Sequence, residues 1–145
     1  MTFNELIHLL QFADSALPVG AFAFSNALET AVEQREVYDA ATLAEFVGEQ
    51  LRQSATSDGV AALAARRATL AGDYEVLLSI DARLIRSKLS DELRQMLCRM
   101  GRKLAELSVQ TSGDPTLVRW RDDIVARRTA GCYPVTQGIV FALGG

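Results

Sequence analysis

A long run of apolar residues at helical spacing, between Ser90 and Gln110, constrains the fold of this chain most. Its apolar members are Leu93, Met96, Leu97, Met100, Leu104 and Leu107. That spacing places them on one face of an α-helix. The opposite face carries Arg94, Arg99, Arg102 and Glu106. Because a helix with one apolar face needs other elements to cover it, the run predicts a long helix packed within a larger helical protein.

Helix-start signals recur along the rest of the chain and are separated by short polar connections. Thr2-x-x-Glu5 has the spacing of a capping box, and Asp114-Pro115 is an N-cap followed by proline. Further predicted boundaries are an N-cap at Asp39, an N-cap at Asp58, a helix over 73–84, an end at Gly131 and a start at Pro134. The pattern predicts an all-α, single-domain bundle of about seven or eight amphipathic helices over residues 1–145.

The predicted inward faces are those that carry apolar side chains at helical spacing. They comprise Phe3, Leu6, Ile7 and Leu10, then Leu28 and Val32, then Leu43, Phe46, Val47 and Leu51, then Val60, Leu63, Ala64 and Ala68. His8 falls opposite the first of these faces, which predicts a solvated surface position. The last helix is apolar on most sides, so we expect it to be covered, either by elements beyond Gly145 or by a partner.

Composition bounds the class of protein. Of the 145 residues, 49% are hydrophobic and 23% are charged, a balance typical of an ordered globular chain. The longest apolar stretch, 138–145, is too short to span a bilayer, and the N-terminus does not resemble a signal peptide. Cys98 and Cys132 lie in different predicted elements without a CxxC motif, which predicts two isolated thiols. These features favour a cytoplasmic protein.

The residues required for known catalytic sites are missing from this sequence. His8 is the only histidine, so neither a histidine-dependent triad nor a histidine metal cluster can form around several such side chains. Ser25 lies outside any G-x-S-x-G nucleophile elbow, and neither a P-loop nor a G-x-G-x-x-G segment occurs. The sequence therefore predicts a protein with no catalytic residues, no metal site and no enzymatic activity of its own.

Charge is divided unevenly along the chain. Residues 1–80 hold 4 basic and 11 acidic side chains (net −7), whereas residues 81–145 hold 11 and 7 (net +4). The basic residues of the second part that could face a partner are Arg94, Arg99, Arg102, Lys103, Arg119, Arg121, Arg127 and Arg128. Interleaved carboxylates and a pI near 5.2 disfavour nucleic-acid binding, whereas arginine is enriched at protein interfaces. A helical regulatory module that binds nucleic acid or another protein through these arginines stays the alternative hypothesis, and a salt series of binding measurements distinguishes it.

The segment from Leu17 to Glu29 combines a proline, a glycine and two aromatic residues ahead of a helix predicted from about Ser25. Phe22 and Phe24 either plug the helical core or form an aromatic contact surface on a rigid turn. Asn26 and Glu29 share a helix face at i, i+3 and could bond within the fold or across an interface. The residues themselves leave both interpretations open.

Three motifs in order resemble the UreF family of urease accessory proteins. They are Asp14-Ser15-Ala16-Leu17-Pro18-Val19-Gly20-Ala21-Phe22-Ala23-Phe24-Ser25-Asn26-Ala27-Leu28-Glu29, then Met100-Gly101-Arg102-Lys103-Leu104, then Gly131-Cys132-Tyr133-Pro134-Val135-x-x-Gly138. Two departures stand out: Cys132 lies where the family often has histidine, and Ala27 lies where glycine is usual. The family also continues with further helices, so the resemblance implies a form that lacks the C-terminal helices.

The resemblance implies a non-catalytic maturation factor. UreF proteins are all-helical, form homodimers and bind the accessory protein UreD (also called UreH). They recruit the GTPase UreG, so that nickel reaches the urease apoprotein while nickel and GTP are handled by the partners. We therefore expect no directly bound cofactor, no nucleic acid and no membrane contact. The residues expected at partner contacts are Phe22, Phe24, Ser25, Asn26, Glu29, Arg99, Arg102 and Tyr133.

Overall fold

A computed structural model describes residues 2–14, 16–20 and 27–144. Its α-helices are α1 (Phe3–Ala13), α2 (Leu28–Glu33), α3 (Ala40–Ser54), α4 (Val60–Leu70), α5 (Tyr74–Ser87), α6 (Asp91–Ser112), α7 (Pro115–Val125) and α8 (Tyr133–Leu143). A π-helical turn, Ala55–Gly59, joins α3 to α4, and no strand occurs within the described ranges. The predicted all-α fold is confirmed.

Side-chain caps fix most of the helix starts where the sequence predicts them. The Thr2 hydroxyl accepts a hydrogen bond from a backbone N–H in the first turn of α1, and Asp39 does the same at α3. Asp73, Ser90 and Asp114 cap α5, α6 and α7 in the same way. Each cap pairs a backbone donor that the helix itself leaves unpaired. These helix starts are therefore encoded locally.

The predicted N-cap at Asp58 is wrong. Asp58 lies inside the π-helical turn, and the helix runs through it from α3 into α4 without a break. Its carboxylate forms an ion pair with Lys88, whose ammonium also donates to the Ser57 hydroxyl at 3.1 Å. A π-turn inserts one extra residue and re-aims the side chains that follow. Here Asp58 pairs with a buried lysine instead of capping a helix.

Helix α8 forms the centre of the core. Its buried residues are Pro134, Val135, Thr136, Gly138, Ile139, Val140 and Ala142. Helices α4 and α6 pack along it, and a side chain at Gly138 would place its Cβ 2.3 Å from the Ala62 carbonyl oxygen of α4. On α7, the Trp120 indole N–H donates to the Thr136 hydroxyl at 3.0 Å. Helices of the described chain itself therefore cover this apolar segment, as its composition requires.

The inward face of α4 differs from the prediction. Its buried residues are Ala61, Ala65 and Ala68, whereas Val60 and Leu63 are exposed. The backbones of α4 and α8 approach so closely that only small side chains fit between them. The larger apolar side chains therefore lie outside, because the close approach leaves them no room.

The prediction for α1 is also wrong about which face packs. Phe3, Ile7 and Leu10 are exposed, whereas Phe12 is buried. The His8 ring packs against the Phe12 ring at an interplanar angle of 45°, with ring centroids 4.7 Å apart. The His8 ring lies against the end of α8, where burial lowers its pKa. His8 is thus a packing residue and not the solvated one that the helix pattern predicts.

Three smaller predictions differ from the structure. In α2 the buried residue is Ala31, and Val32 is exposed. Helix α3 buries none of its residues within the described part of the chain, so Leu51 and its apolar neighbours lie on an open face. Helix α7 ends at Val125, well before Gly131.

No described helix combines the length and the apolar character that crossing a membrane requires.

Candidate functional site

The loop between α7 and α8 is held by one buried carboxylate. Asp81 of α5 is completely buried and accepts hydrogen bonds from the Thr129 hydroxyl at 2.6 Å, the Gly131 N–H at 2.8 Å and the Cys132 N–H at 2.7 Å. Such bonds to an ionised acceptor are stronger than neutral ones and orient the donors. Asp81 therefore fixes the path of the chain into α8.

The second and third sequence motifs meet at this loop. A Cβ on Gly101 of α6 would lie 1.9 Å from the Gly131 carbonyl oxygen and 2.7 Å from the Tyr133 nitrogen. Gly131 itself has a φ of +70°, a conformation that glycine adopts without strain. Gly101 is therefore required by a backbone contact that admits no side chain, and Gly131 by its backbone conformation.

An open cleft of about 670 Å³ lies beside this contact, between α5, α6 and the loop that follows α7. The arginines in its lining are Arg86, Arg99, Arg102, Arg127 and Arg128. Asp81 is the only carboxylate among its lining residues, and its oxygens already accept three hydrogen bonds. The cleft therefore presents a positive surface that suits an anionic or carboxylate-rich ligand.

Two of these arginines, Arg102 and Arg128, are held in place by neighbouring carboxylates. Arg102 pairs with Glu106 one turn along α6 at 3.0 Å, and the Arg128 Nε donates to the Asp123 carboxylate at 2.7 Å. Tyr74 also donates to Asp123 at 2.7 Å. Although burial opposes it, these hydrogen bonds from Tyr74 and Arg128 lower the pKa of Asp123. The carboxylate therefore stays ionised and orients one wall of the cleft.

The two cysteines are free thiols, as predicted, but they lie next to each other where α6 passes the start of α8. Cys98 of α6 lies one turn before Gly101, and Cys132 directly precedes α8. Their thiols form a hydrogen bond that lowers the pKa of Cys98 and raises the pKa of Cys132. Cys132 is completely buried, whereas Cys98 is partly exposed and lines the cleft.

The structure separates the predicted contact residues. Arg99 and Arg102 both line the open cleft between α5, α6 and the loop that follows α7, from here on called the arginine cleft. Tyr133 is half-buried at the start of α8, where burial raises the pKa of its phenol. Glu29 borders a different cleft, between α2, α3 and α6. The remaining predicted contacts, Phe22, Phe24, Ser25 and Asn26, lie outside the described residues.

Sequence reasoning missed Asp81 as an organising residue. The sequence did contain a signal for this position. Asp81 lies four residues after Leu77 and three before Leu84, so the helical spacing places it on the buried face of α5 between two apolar residues. A carboxylate at such a position is stable only with several donors around it.

Within the described ranges, no three histidine, cysteine, aspartate or glutamate side chains form a group that could hold a metal ion.

Comparison with known proteins identifies the family. A family model described as UreF matches residues 37–145, which contain both of the motifs that meet at the cleft. This chain belongs to the UreF family. A urease accessory protein UreF of Photorhabdus laumondii is 44% identical over 145 residues, and one of Yersinia pseudotuberculosis is equally similar. A protein named urease accessory protein UreF 2 of Brucella canis is 48% identical over 137 residues.

The alignments also define how much of the family this chain represents. They cover 99%, 100% and 94% of this chain but 64%, 64% and 56% of the respective relatives. The chain therefore spans less than two thirds of the length of these UreF proteins. A search of the solved structures found no significant match.

Proposed function

We propose that this chain acts as a non-catalytic scaffold in urease maturation. In this role it binds UreD (UreH) and the GTPase UreG as a homodimer in the cytoplasm and brings them to the urease apoprotein for nickel insertion. Nickel and GTP stay with the partners, so the chain binds neither directly. The observation that carries the proposal is membership of a family whose relatives are named urease accessory proteins and align over almost all of this chain.

The arginine cleft is the surface that we assign to a protein partner. Arg99 and Arg102 lie on the long helix α6, and the cleft beside them is bounded by a loop that Asp81 holds in place. Guanidinium groups on a rigid element favour an acidic partner surface, because little ordering is needed when their hydrogen bonds form. This chemistry supports a docking role and requires no reaction at the cleft.

Complementation tests the proposed function directly. The full-length gene is expressed with a urease operon whose own UreF gene is deleted, and urease activity is measured with and without added nickel. We expect activity to return only when both nickel and this protein are present, together with co-purification of UreD and UreG. A well-folded full-length protein that captures neither partner and restores no activity would refute the scaffold role.

Paired arginine variants test the assigned surface. Arg99→Ala with Arg102→Ala removes two charges at the cleft, and Arg52→Ala with Arg67→Ala removes the same charge from exposed positions on α3 and α4 outside it. We expect the first pair to weaken binding of UreD or UreG by roughly 10- to 100-fold, and the second by a few-fold at most. Titrating each partner separately identifies which one occupies the cleft. Equal binding by the two double variants would exclude the cleft as the contact.

A further inference from the structure

The two thiols of the chain lie in different elements that are already in backbone contact. Cys98 projects from α6 one turn before Gly101, the residue that has no room for a side chain against the Gly131–Tyr133 backbone. Cys132 belongs to that segment, with its backbone carbonyl carbon 2.8 Å from where a Gly101 Cβ would lie, so its thiol lies beside that of Cys98 and interacts with it. Disulfide formation requires such an approach between two cysteines whose Cβ atoms point toward each other.

The environments of the two sulfurs differ in a way that assigns them different roles. Cys132 is completely buried, and its hydrogen bond to Cys98, together with burial, raises the pKa of its thiol. Cys98 receives that hydrogen bond, which lowers its pKa although burial and the Asp81 carboxylate act in the opposite direction. The charged groups that line the cleft with Cys98 are Asp81, Arg86, Arg99, Arg102, Arg127 and Arg128. Thiolate character and access to solvent therefore both favour Cys98 as the reactive sulfur.

We propose that Cys98 and Cys132 form a peroxide-reactive dithiol that closes reversibly to an intramolecular disulfide. Cys98 meets the oxidant in the cleft, and Cys132 acts as the resolving thiol behind it. The pair joins α6 to the N-terminus of α8, next to the arginines of the cleft.

The chemistry balances with hydrogen peroxide as the oxidant. The Cys98 thiolate attacks one peroxide oxygen, the O–O bond breaks, and with one proton the products are a sulfenic acid and water. The Cys132 sulfur then attacks the Cys98 sulfur, and the sulfenic hydroxyl leaves with the Cys132 proton as a second water. Two thiols are oxidised to one disulfide while one peroxide is reduced to two waters, and a dithiol reductant reverses the change.

The test follows the thiols of the full-length protein. Reduced protein is treated with hydrogen peroxide, alkylated, digested with trypsin and examined by mass spectrometry. We expect a cross-link between the peptide 95–99 and the peptide that begins at Thr129, with loss of two hydrogen masses and reversal by dithiothreitol. In Cys132→Ala we expect a dimedone-trapped sulfenic acid on Cys98, and in Cys98→Ser we expect Cys132 to oxidise at least roughly tenfold more slowly.

Three outcomes would overturn the proposal. One is a folded wild-type protein in which both thiols survive peroxide, and another is oxidation that yields only cross-links between two chains. The third is a Cys98→Ser variant whose Cys132 reacts as fast as Cys98 does in the wild type. Circular dichroism confirms folding of each variant, and the wild-type result decides the proposal even if Cys132→Ala does not fold. Since the readout is thiol mass, it is independent of the proposed role in urease maturation.

Discussion

Replacing Asp81 by asparagine is the sharpest test of how this chain positions its cleft. The carboxylate is completely buried and accepts three hydrogen bonds, from Thr129, Gly131 and Cys132. Asparagine has almost the same shape but offers a single acceptor oxygen. Its amide nitrogen would replace one of the two carboxylate oxygens and would point its N–H groups at a donor that this oxygen now accepts from. At least one buried donor therefore loses its partner.

The expected loss of stability follows from these contacts. A hydrogen bond to a charged group contributes about 1.5–3 kcal/mol, and a buried donor left unpaired costs about 1–3 kcal/mol. We therefore expect Asp81→Asn to lower the free energy of unfolding by about 3 kcal/mol, a large share of the roughly 5–15 kcal/mol typical of a domain. Thr129→Val removes one of the three bonds to the carboxylate and leaves the two backbone bonds intact, so it should cost about 1.5 kcal/mol, the lower end of that range.

Urea denaturation followed by circular dichroism at neutral pH measures both effects. The matched control is Asp122→Asn, which removes the same charge from an exposed carboxylate. In the structure the Asp122 carboxylate pairs with the guanidinium of its neighbour Arg121. Exposed ion pairs contribute about 0–1 kcal/mol, so this control should stay near the wild type. If Asp81→Asn costs no more than Asp122→Asn, the three bonds do not hold the loop in solution, and Asp81 does not position the cleft.

Three further perturbations test other contacts. Gly138→Ala should destabilise the protein by about 1–3 kcal/mol or more, because the new Cβ would lie 2.3 Å from the Ala62 carbonyl oxygen. Thermal unfolding should therefore show a lower midpoint. An unchanged midpoint would mean that α4 and α8 are farther apart in solution than in the structure. In a double-mutant cycle of Lys88→Met and Asp58→Asn, we expect a coupling energy of about 1 kcal/mol, and a value near zero would exclude the ion pair. Because burial lowers the pKa of His8, the folded state binds its proton less readily than the unfolded chain, so stability is complete above about pH 6.5 and falls as pH decreases toward the folded pKa. The urea midpoint should therefore fall more between about pH 7.5 and 5.5 in the wild type than in His8→Gln, and identical slopes would contradict the buried position of His8.

Much of the fold could be predicted from the sequence because helix starts are encoded by neighbouring residues. Capping at Thr2, Asp39 and Asp114 depends on a side chain and a backbone N–H only two or three residues away. The apolar stripe of α6 was equally legible, since Leu97 and Leu104 are buried as predicted. Such features require no knowledge of what packs against them.

Features that depend on distant contacts could not be predicted in this way. The register of α4 is decided by how closely α8 approaches it, and that distance selects Ala65 over Leu63 for the inner face. Asp58 matches a cap by its local pattern, but Lys88, 30 residues away, takes its carboxylate. Hydrophobic periodicity weights large side chains, so it identifies the wrong face of α4, where small side chains face α8.

The candidate site shows the same division between local and distant information. The motif that contains Arg102 was visible as a pattern, and the structure places it at the arginine cleft. The pairing of Cys98 with Cys132 was invisible, because nothing in the spacing of the two residues says that α6 passes the start of α8. Only the contact at Gly101 brings the thiols together. A motif can therefore reveal which residues matter before it reveals what they touch.

The glycines of the motifs show how residues behind a surface can determine where that surface lies. Gly101 and Gly138 are positions where a methyl group would collide with the backbone of another element. These contacts fix α6 and α4 against α8, so the arginines on α6 project from an element that cannot shift independently. A docking surface gains affinity when its charged groups need little ordering on binding. In the proposed docking role, the glycines behind the contact surface therefore contribute by holding the arginines of α6 in place.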